Sequence, residues 1–136
     1  MSNWFLEIHN DISLEQGDII ENCRIICPGE SEYHALLQEN PTHVDMNYIE
    51  CDCIIMSQSC DLENNKIKYV ILCPIATLQN AMKSFELLKS KEGREQLRQG
   101  NLPSYHLLDR FTLKGVTDFY CVSFHNIFSV PKEYLK

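Results

Sequence analysis

The stretch that most constrains this chain is residues 51–75, CDCIIMSQSCDLENNKIKYVILCPI. Cys53 to Met56 is an apolar run with the length and composition of a buried strand, and Ile67 to Cys73 is a second, rich in β-branched and aromatic residues and stopped by Pro74. Between them, residues 61–66 (DLENNK) bring Asp and Asn side chains that stabilise turns by bonding to nearby backbone. The pattern predicts a β-hairpin with a loop longer than two residues. Where the first run ends, Ser57, Gln58, Ser59, Cys60 and Asp61 follow one another as a polar elbow. Such an elbow either caps a turn or forms a site, since polar chemistry is commonly positioned on loops at strand ends.

A length of 136 residues suits one domain with its own core, here taken as 1–136. No apolar run approaches the roughly 18 residues needed to span a bilayer. The start, MSNWFLEIHND, lacks the basic-then-apolar order of an export signal, so a cytoplasmic protein without membrane attachment is expected. The seven cysteines are Cys23, Cys27, Cys51, Cys53, Cys60, Cys73 and Cys121. An odd number, several of them inside strand-like runs, fits buried free thiols in a reducing compartment better than a disulfide framework.

A net charge of −7 argues against a general nucleic-acid binder, but the charge is uneven. Arg24 is the sole Lys or Arg in residues 1–65, whereas Lys83, Lys89, Lys91, Arg94, Arg98, Arg110 and Lys114 fall within 83–114. The basic segment is either a solvated helix face or a patch for an anionic partner.

Along the chain, Trp4 to His9 reads as a strand, and Ile19 to Cys27 as another that ends at the Pro28-Gly29 turn. Residues 31–40 suggest a short helix capped by Ser31 and terminated by Pro41. After Pro74 the period changes. Thr77 is placed to cap a helix in which Leu78, Ala81, Met82, Phe85 and Leu88 recur at helical spacing, weakened at Gly93 and resumed over 94–99. Residues 101–108 read as extended, 111–113 as a strand, 115–117 as a turn and 118–124 as a core strand, with an apolar tail that docks. Several short strands and one helical insertion at about 77–99 predict a mainly β (α+β) fold. The expected form is a small SH3-like or PemK-like β-barrel, or a curled antiparallel sheet.

Three strings together, QGDIIENC from Gln16, IIMSQSCDL from Ile54 with the later ILCPI, and IFSVPKEYL near the end, resemble a family of small uncharacterised bacterial proteins. Its distinctive motif is Ser-Gln-Ser/Thr-Cys-Asp-Leu, and the resemblance implies no established activity. A second resemblance is to the PemK-like toxins, SH3-like barrels that cleave RNA. Gly17-Asp18-Ile19, Met56-Ser57 and Pro74-Ile75 match in order, but the chain is acidic and has no Arg where the catalytic cation is expected. What this second resemblance implies is the barrel, not the nuclease activity.

Three kinds of chemistry are open to the elbow. Cys60 is a candidate nucleophile, which needs an activated thiolate and a base, with His106 or His34 available and Asp61 adjacent. Cys60, Cys73, Cys23 and His106 are candidate zinc ligands, although no paired C-x-x-C exists. Cys51 and Cys53 share one face of a strand, an awkward ligand pair unless the strand bends. In the third reading Ser57, Gln58, Ser59 and Asp61 tie the loop or present donors and acceptors to a ligand, and the histidines are packing residues. Aromatic residues interleaved with Lys and Arg, as an RNA-binding sheet requires, are absent. The expectation is a binding or adaptor module for a protein partner or small ligand. The alternatives are a nucleic-acid- or nucleotide-processing enzyme using Cys60, Asp61 and His106, and a zinc-stabilised structural protein.

Overall fold

The computed structural model describes residues 14–135 apart from 39, 42 and 65. The strand expected at Trp4 to His9 lies outside them. Six strands form one antiparallel sheet in the order β1-β2-β3-β5-β4, with β6 also paired to β3. They are β1 (Ile19–Ile26), β2 (Tyr48–Ile55), β3 (Tyr69–Thr77), β4 (Tyr105–Leu113), β5 (Val116–Ser123) and β6 (Phe128–Pro131). Among the described residues the sheet is open, with β1 and β4 at its ends, so the closed-barrel alternative is corrected. The predicted β2–β3 pairing is present, Cys53 to Ile55 facing Leu72 to Pro74. Its connection contains a short helix, α2 (Ser59–Glu63), where a plain turn was expected.

β3 occupies the centre because both of its edges are used. Leu72 pairs with Ile55 on one side and Phe128 on the other, and further along Ile75 to Thr77 pair with β5. Strand alternation then sends its side chains to opposite faces. Val70 and Leu72 join Cys23, Ile25, Cys53, Ile55, Leu62 and Val130 in one cluster, whereas Cys73 and Ile75 join Ile54, Phe111, Leu113, Tyr120 and Val122 in another.

Two irregularities shape the sheet. In β1 the residues Glu21 and Asn22 oppose the single residue Asp52, which makes a β-bulge. Asn22 takes φ 53°, a left-handed conformation that Asn tolerates better than most residues, and its N–H donates to Asp52 Oδ1 at 2.9 Å. The β4–β5 hairpin turns on Lys114 and Gly115, both with positive φ (51° and 79°), the combination a two-residue type I′ turn requires. That moves the turn one residue before the expected 115–117 and joins residues 105–113 into one strand with a bulge after Leu108. From this turn Lys114 Nζ donates to Asp52 Oδ1 and to Asn22 Oδ1, both at 2.9 Å. The far end of the sheet is thereby drawn over the second cluster.

The helical insertion lies between β3 and β4, and it is broken rather than continuous. Helix α3 (Leu78–Ser84) is capped as expected, with Thr77 Oγ1 accepting from the Asn80 N–H at 3.2 Å. A 3₁₀ turn (Glu86–Leu88) follows, then α4 (Lys91–Arg98), capped by Ser90 Oγ. Ala81, Leu88 and Leu97 pack on Tyr105 and Cys121. The early helix, α1 (Glu30–Leu36), is shorter than residues 31–40. Its cap is at Gly29, whose N–H donates to Glu32 Oε2 at 2.9 Å, while Ser31 sits inside the first turn.

Gly93 is where the 3₁₀ turn meets α4, and this explains it better than weak helicity does. Replacing a helical glycine by alanine ordinarily stabilises by about 1 kcal/mol. At this position a Cβ would stand 1.7 Å from the Leu87 carbonyl oxygen, so backbone would have to move. Gly93→Ala is expected to reverse the usual sign and cost on the order of 1–3 kcal/mol, read as a lower urea midpoint. An unchanged or higher midpoint would show that this close approach does not constrain the fold.

Candidate functional site

The elbow forms because β2 and β3 part after Ile55. Met56 N–H still donates to the Ile71 carbonyl at 2.9 Å, and Ser57 Oγ then accepts from the Ile71 N–H at 2.9 Å. Ser57 is buried, so its hydroxyl continues the ladder for one residue where backbone pairing has ended. Ser59 Oγ accepts from the Gln16 N–H at 2.8 Å, and Gln16 Nε2 donates to the Met56 carbonyl at 2.9 Å. Gly17 N–H donates to the Ile55 carbonyl, and Ile55 N–H to the Asp18 carbonyl, each at 2.8 Å. Leu62 in α2 anchors the elbow in the first core cluster, and Lys132 Nζ donates to the Leu62 carbonyl.

These bonds divide the candidate ligand residues. The oxygens of Ser57 and Ser59 are joined to main chain. Gln58 and Cys60 are exposed and Asp61 is half-buried. Sulfur of Cys60 donates weakly to Gln58 Oε1 at 3.7 Å and lies 4.0 Å from Asp61 Oδ1. Gln16 is the structural partner that spacing did not reveal, although it opens the QGDIIENC string.

The residues expected to cooperate with Cys60 are elsewhere. His106 is exposed on β4, an end strand separated from β3 by β5, and His34 is exposed on α1. The candidate zinc ligands are also dispersed. Cys23 belongs to the first cluster and Cys73 to the second, on opposite faces of the sheet, while Cys60 is at the surface. Among the described residues, no group of three or more His, Cys, Asp or Glu side chains is arranged to hold a metal ion. Burial pushes the Cys73 thiol up and the Cys121 thiol up to about 11, as expected for inert core thiols.

Sulfurs do meet where the sequence made the pairing look awkward. Cys51 and Cys53 project from one face of β2 with their Sγ atoms 3.5 Å apart, and Cys23 is the cross-strand partner of Cys51. A hydrogen bond from Cys53 holds the Cys51 thiol below its ordinary value, against the opposing effects of burial and the Asp52 carboxylate. The same bond raises Cys53, with burial adding to it.

A separate surface surrounds α1. No residue of this helix is buried. Tyr33 is 59% exposed and Leu37, just past its end, 82% exposed. Ile26 and Tyr48, paired at the adjoining end of β1–β2, are exposed as well, as are Leu36 and Met46. An open groove of about 600 Å³ runs along Pro28, Gly29, Glu30, Tyr33, His34 and Leu37. Arg24 sits over the Tyr48 ring at 5.8 Å and 3.7 Å from Glu50, so this basic group is already engaged by an aromatic face and a carboxylate.

Comparison with protein-family models, with curated proteins and with solved structures finds no match for this chain. Among the described residues, no helix is long and apolar enough to cross a membrane.

The two faces of the elbow should respond differently to substitution. Ser57→Ala leaves the part-buried Ile71 N–H without its acceptor and is expected to cost about 1–3 kcal/mol in urea unfolding. Cys60→Ser, at an exposed thiol, is expected to change stability by less than about 0.5 kcal/mol. Equal effects from the two would contradict the division between structural and outward residues.

Proposed function

We propose that this chain is a protein-binding module whose principal contact surface is α1 together with the adjoining end of β1–β2. The observation that carries this is a seven-residue helix with no buried residue, presenting Tyr33 and beside Leu37. Helices this short are marginal in water unless an apolar face is covered, and contiguous exposed apolar side chains are a common mark of a protein interface. Glu30, Glu32 and Asp45 rim this surface. The fitting partner is therefore a protein segment with an apolar anchor flanked by Lys or Arg, attracted by the acidic rim and held by the apolar centre.

The elbow has a supporting part in this reading. It fixes the end of β2 to β3, with Gln58 and Asp61 left as outward polar groups for a larger partner. The catalytic alternative draws no support from geometry, because neither His106 nor His34 is beside the Cys60 sulfur, whose polar neighbours are Gln58 and Asp61.

Selection of displayed random peptides against the purified chain tests the proposal. Recovered peptides are expected to share an apolar residue flanked by basic ones. Leu37→Asp and Tyr33→Ala should each weaken binding at least about tenfold, which corresponds to about 1.4 kcal/mol, without moving the thermal midpoint. Cys60→Ser should bind normally. Peptides whose binding ignores the α1 substitutions but fails with Gln58→Ala or Asp61→Ala would move the site to the elbow and overturn the proposed surface.

A further inference from the structure

The sulfur contact on β2 lies outside the proposed binding surface and stands independently of it. We propose that Cys51 and Cys53 form a thiol–disulfide exchange site for low-molecular-weight disulfides of the glutathione class. Three features of the geometry point to it. The two Sγ atoms are already 3.5 Å apart. Cys51 is half-buried and so the more accessible of the two, whereas Cys53 is 0% exposed and is shielded from direct attack. The Cys53 thiol can donate to Cys51 sulfur, which favours the thiolate on the accessible member of the pair.

The exchange runs in two steps. The Cys51 thiolate attacks one sulfur of glutathione disulfide, forming a Cys51–glutathione bond and releasing one glutathione thiolate, which takes up a proton. Once Cys51 is no longer anionic, Cys53 loses its proton and its sulfur attacks Cys51 Sγ. The Cys51–glutathione bond breaks, the Cys51–Cys53 bond forms, and the second glutathione leaves carrying that proton. Two protein thiols are oxidised and one small disulfide is reduced to two thiols.

Along an extended strand, Cα atoms two residues apart are about 6.8 Å from each other, at the upper end of the roughly 4.4–6.8 Å that disulfides tolerate. A bond closed at that limit is strained, and strained disulfides are the readily reduced kind. The product is thus a reversible modification rather than a permanent staple. Cys23 is the competing thiol, since it pairs with Cys51 across the bulged end of β1. Cys53 is favoured because its sulfur is in contact with that of Cys51, whereas Cys23 is hydrogen-bonded to Cys53. Cys60 is exposed, and the side-chain groups at its sulfur are Gln58 and Asp61, so its reaction stops at the glutathione adduct and serves as an internal comparison.

The full chain, held in glutathione buffers of graded oxidation and then alkylated, is mapped by peptide mass spectrometry. The expected result is a Cys51–Cys53 peptide lighter by two hydrogens, restored to two free thiols when the buffer is made reducing. Cys51→Ser should abolish the link, Cys53→Ser should leave a stable glutathione adduct on Cys51, and Cys23→Ser should leave the link intact. The wild-type map decides the question even if the buried Cys53→Ser substitution unfolds the chain. In wild type, an unmodified Cys51, a persistent Cys51–glutathione adduct or a Cys23–Cys51 link would each overturn the proposal.

Discussion

Hydrogen bonding on both edges of β3 is the constraint on which the remaining structure depends. Leu72 is bonded to Ile55 and to Phe128, and the same strand passes to β5 from Ile75 onward. A strand used on both sides has no free edge, and wherever both of its faces are also covered its residues are apolar on both. From Leu72 to Ile75 that holds, alternation filling two separate clusters with Leu72 in one and Cys73 in the other, while Ile71 before them is exposed. The open sheet then needs cover on each face. The first cluster lies beneath Leu62 of α2 and Leu135 near the end of the chain. The second is covered by the sheet's own curvature, with Lys114 reaching Asp52 and Asn22.

The elbow shows how polar side chains complete the hydrogen bonding of a β fold. Where β2 and β3 separate, the Ile71 N–H would lose its partner, and unpaired donors out of water are costly. Ser57 supplies an oxygen to it, while Ser59 ties the elbow to the exposed Gln16 N–H ahead of β1. Asp52 does similar work at the bulge, accepting from the Asn22 N–H and from Lys114 together. The Lys114–Asp52 bond also raises the Lys114 ammonium above its ordinary value, although the lysine remains partly exposed and its contribution is screened accordingly.

Surface and thiol chemistry are segregated by the same architecture. The apolar residues around α1 sit at the outer end of β1–β2, beyond the reach of either cluster. Cys51 and Cys53 lie on the inner face of that hairpin. Cys60 is exposed at the elbow, where its polar neighbours among the described residues are Gln58 and Asp61. Apart from the half-buried Cys27, one short chain thus carries three kinds of cysteine: core thiols raised by burial, a solvent-facing thiol, and a contacting pair.

Local sequence determined much of this structure. The runs at 53–56 and 67–73 specified paired strands because their side chains are apolar, β-branched and too short in extent for helices. Thr77 announced α3 because a threonine hydroxyl can satisfy a helix's first N–H groups. What tertiary structure alone decided was everything that depends on partners distant in sequence. Phe128, not a neighbouring segment, completes the edge of β3, and Leu87 dictates a glycine at 93 by bringing a carbonyl to it. His106 lies on β4, two strands from β3 in the sheet order, and is not among the groups bonded at the Cys60 sulfur. Period-two alternation put Cys51 and Cys53 on one face of β2, but only the folded strand brought their sulfurs into contact. Sequence encodes which groups share a strand face, while the distances between them are set by how the strands bend and pack.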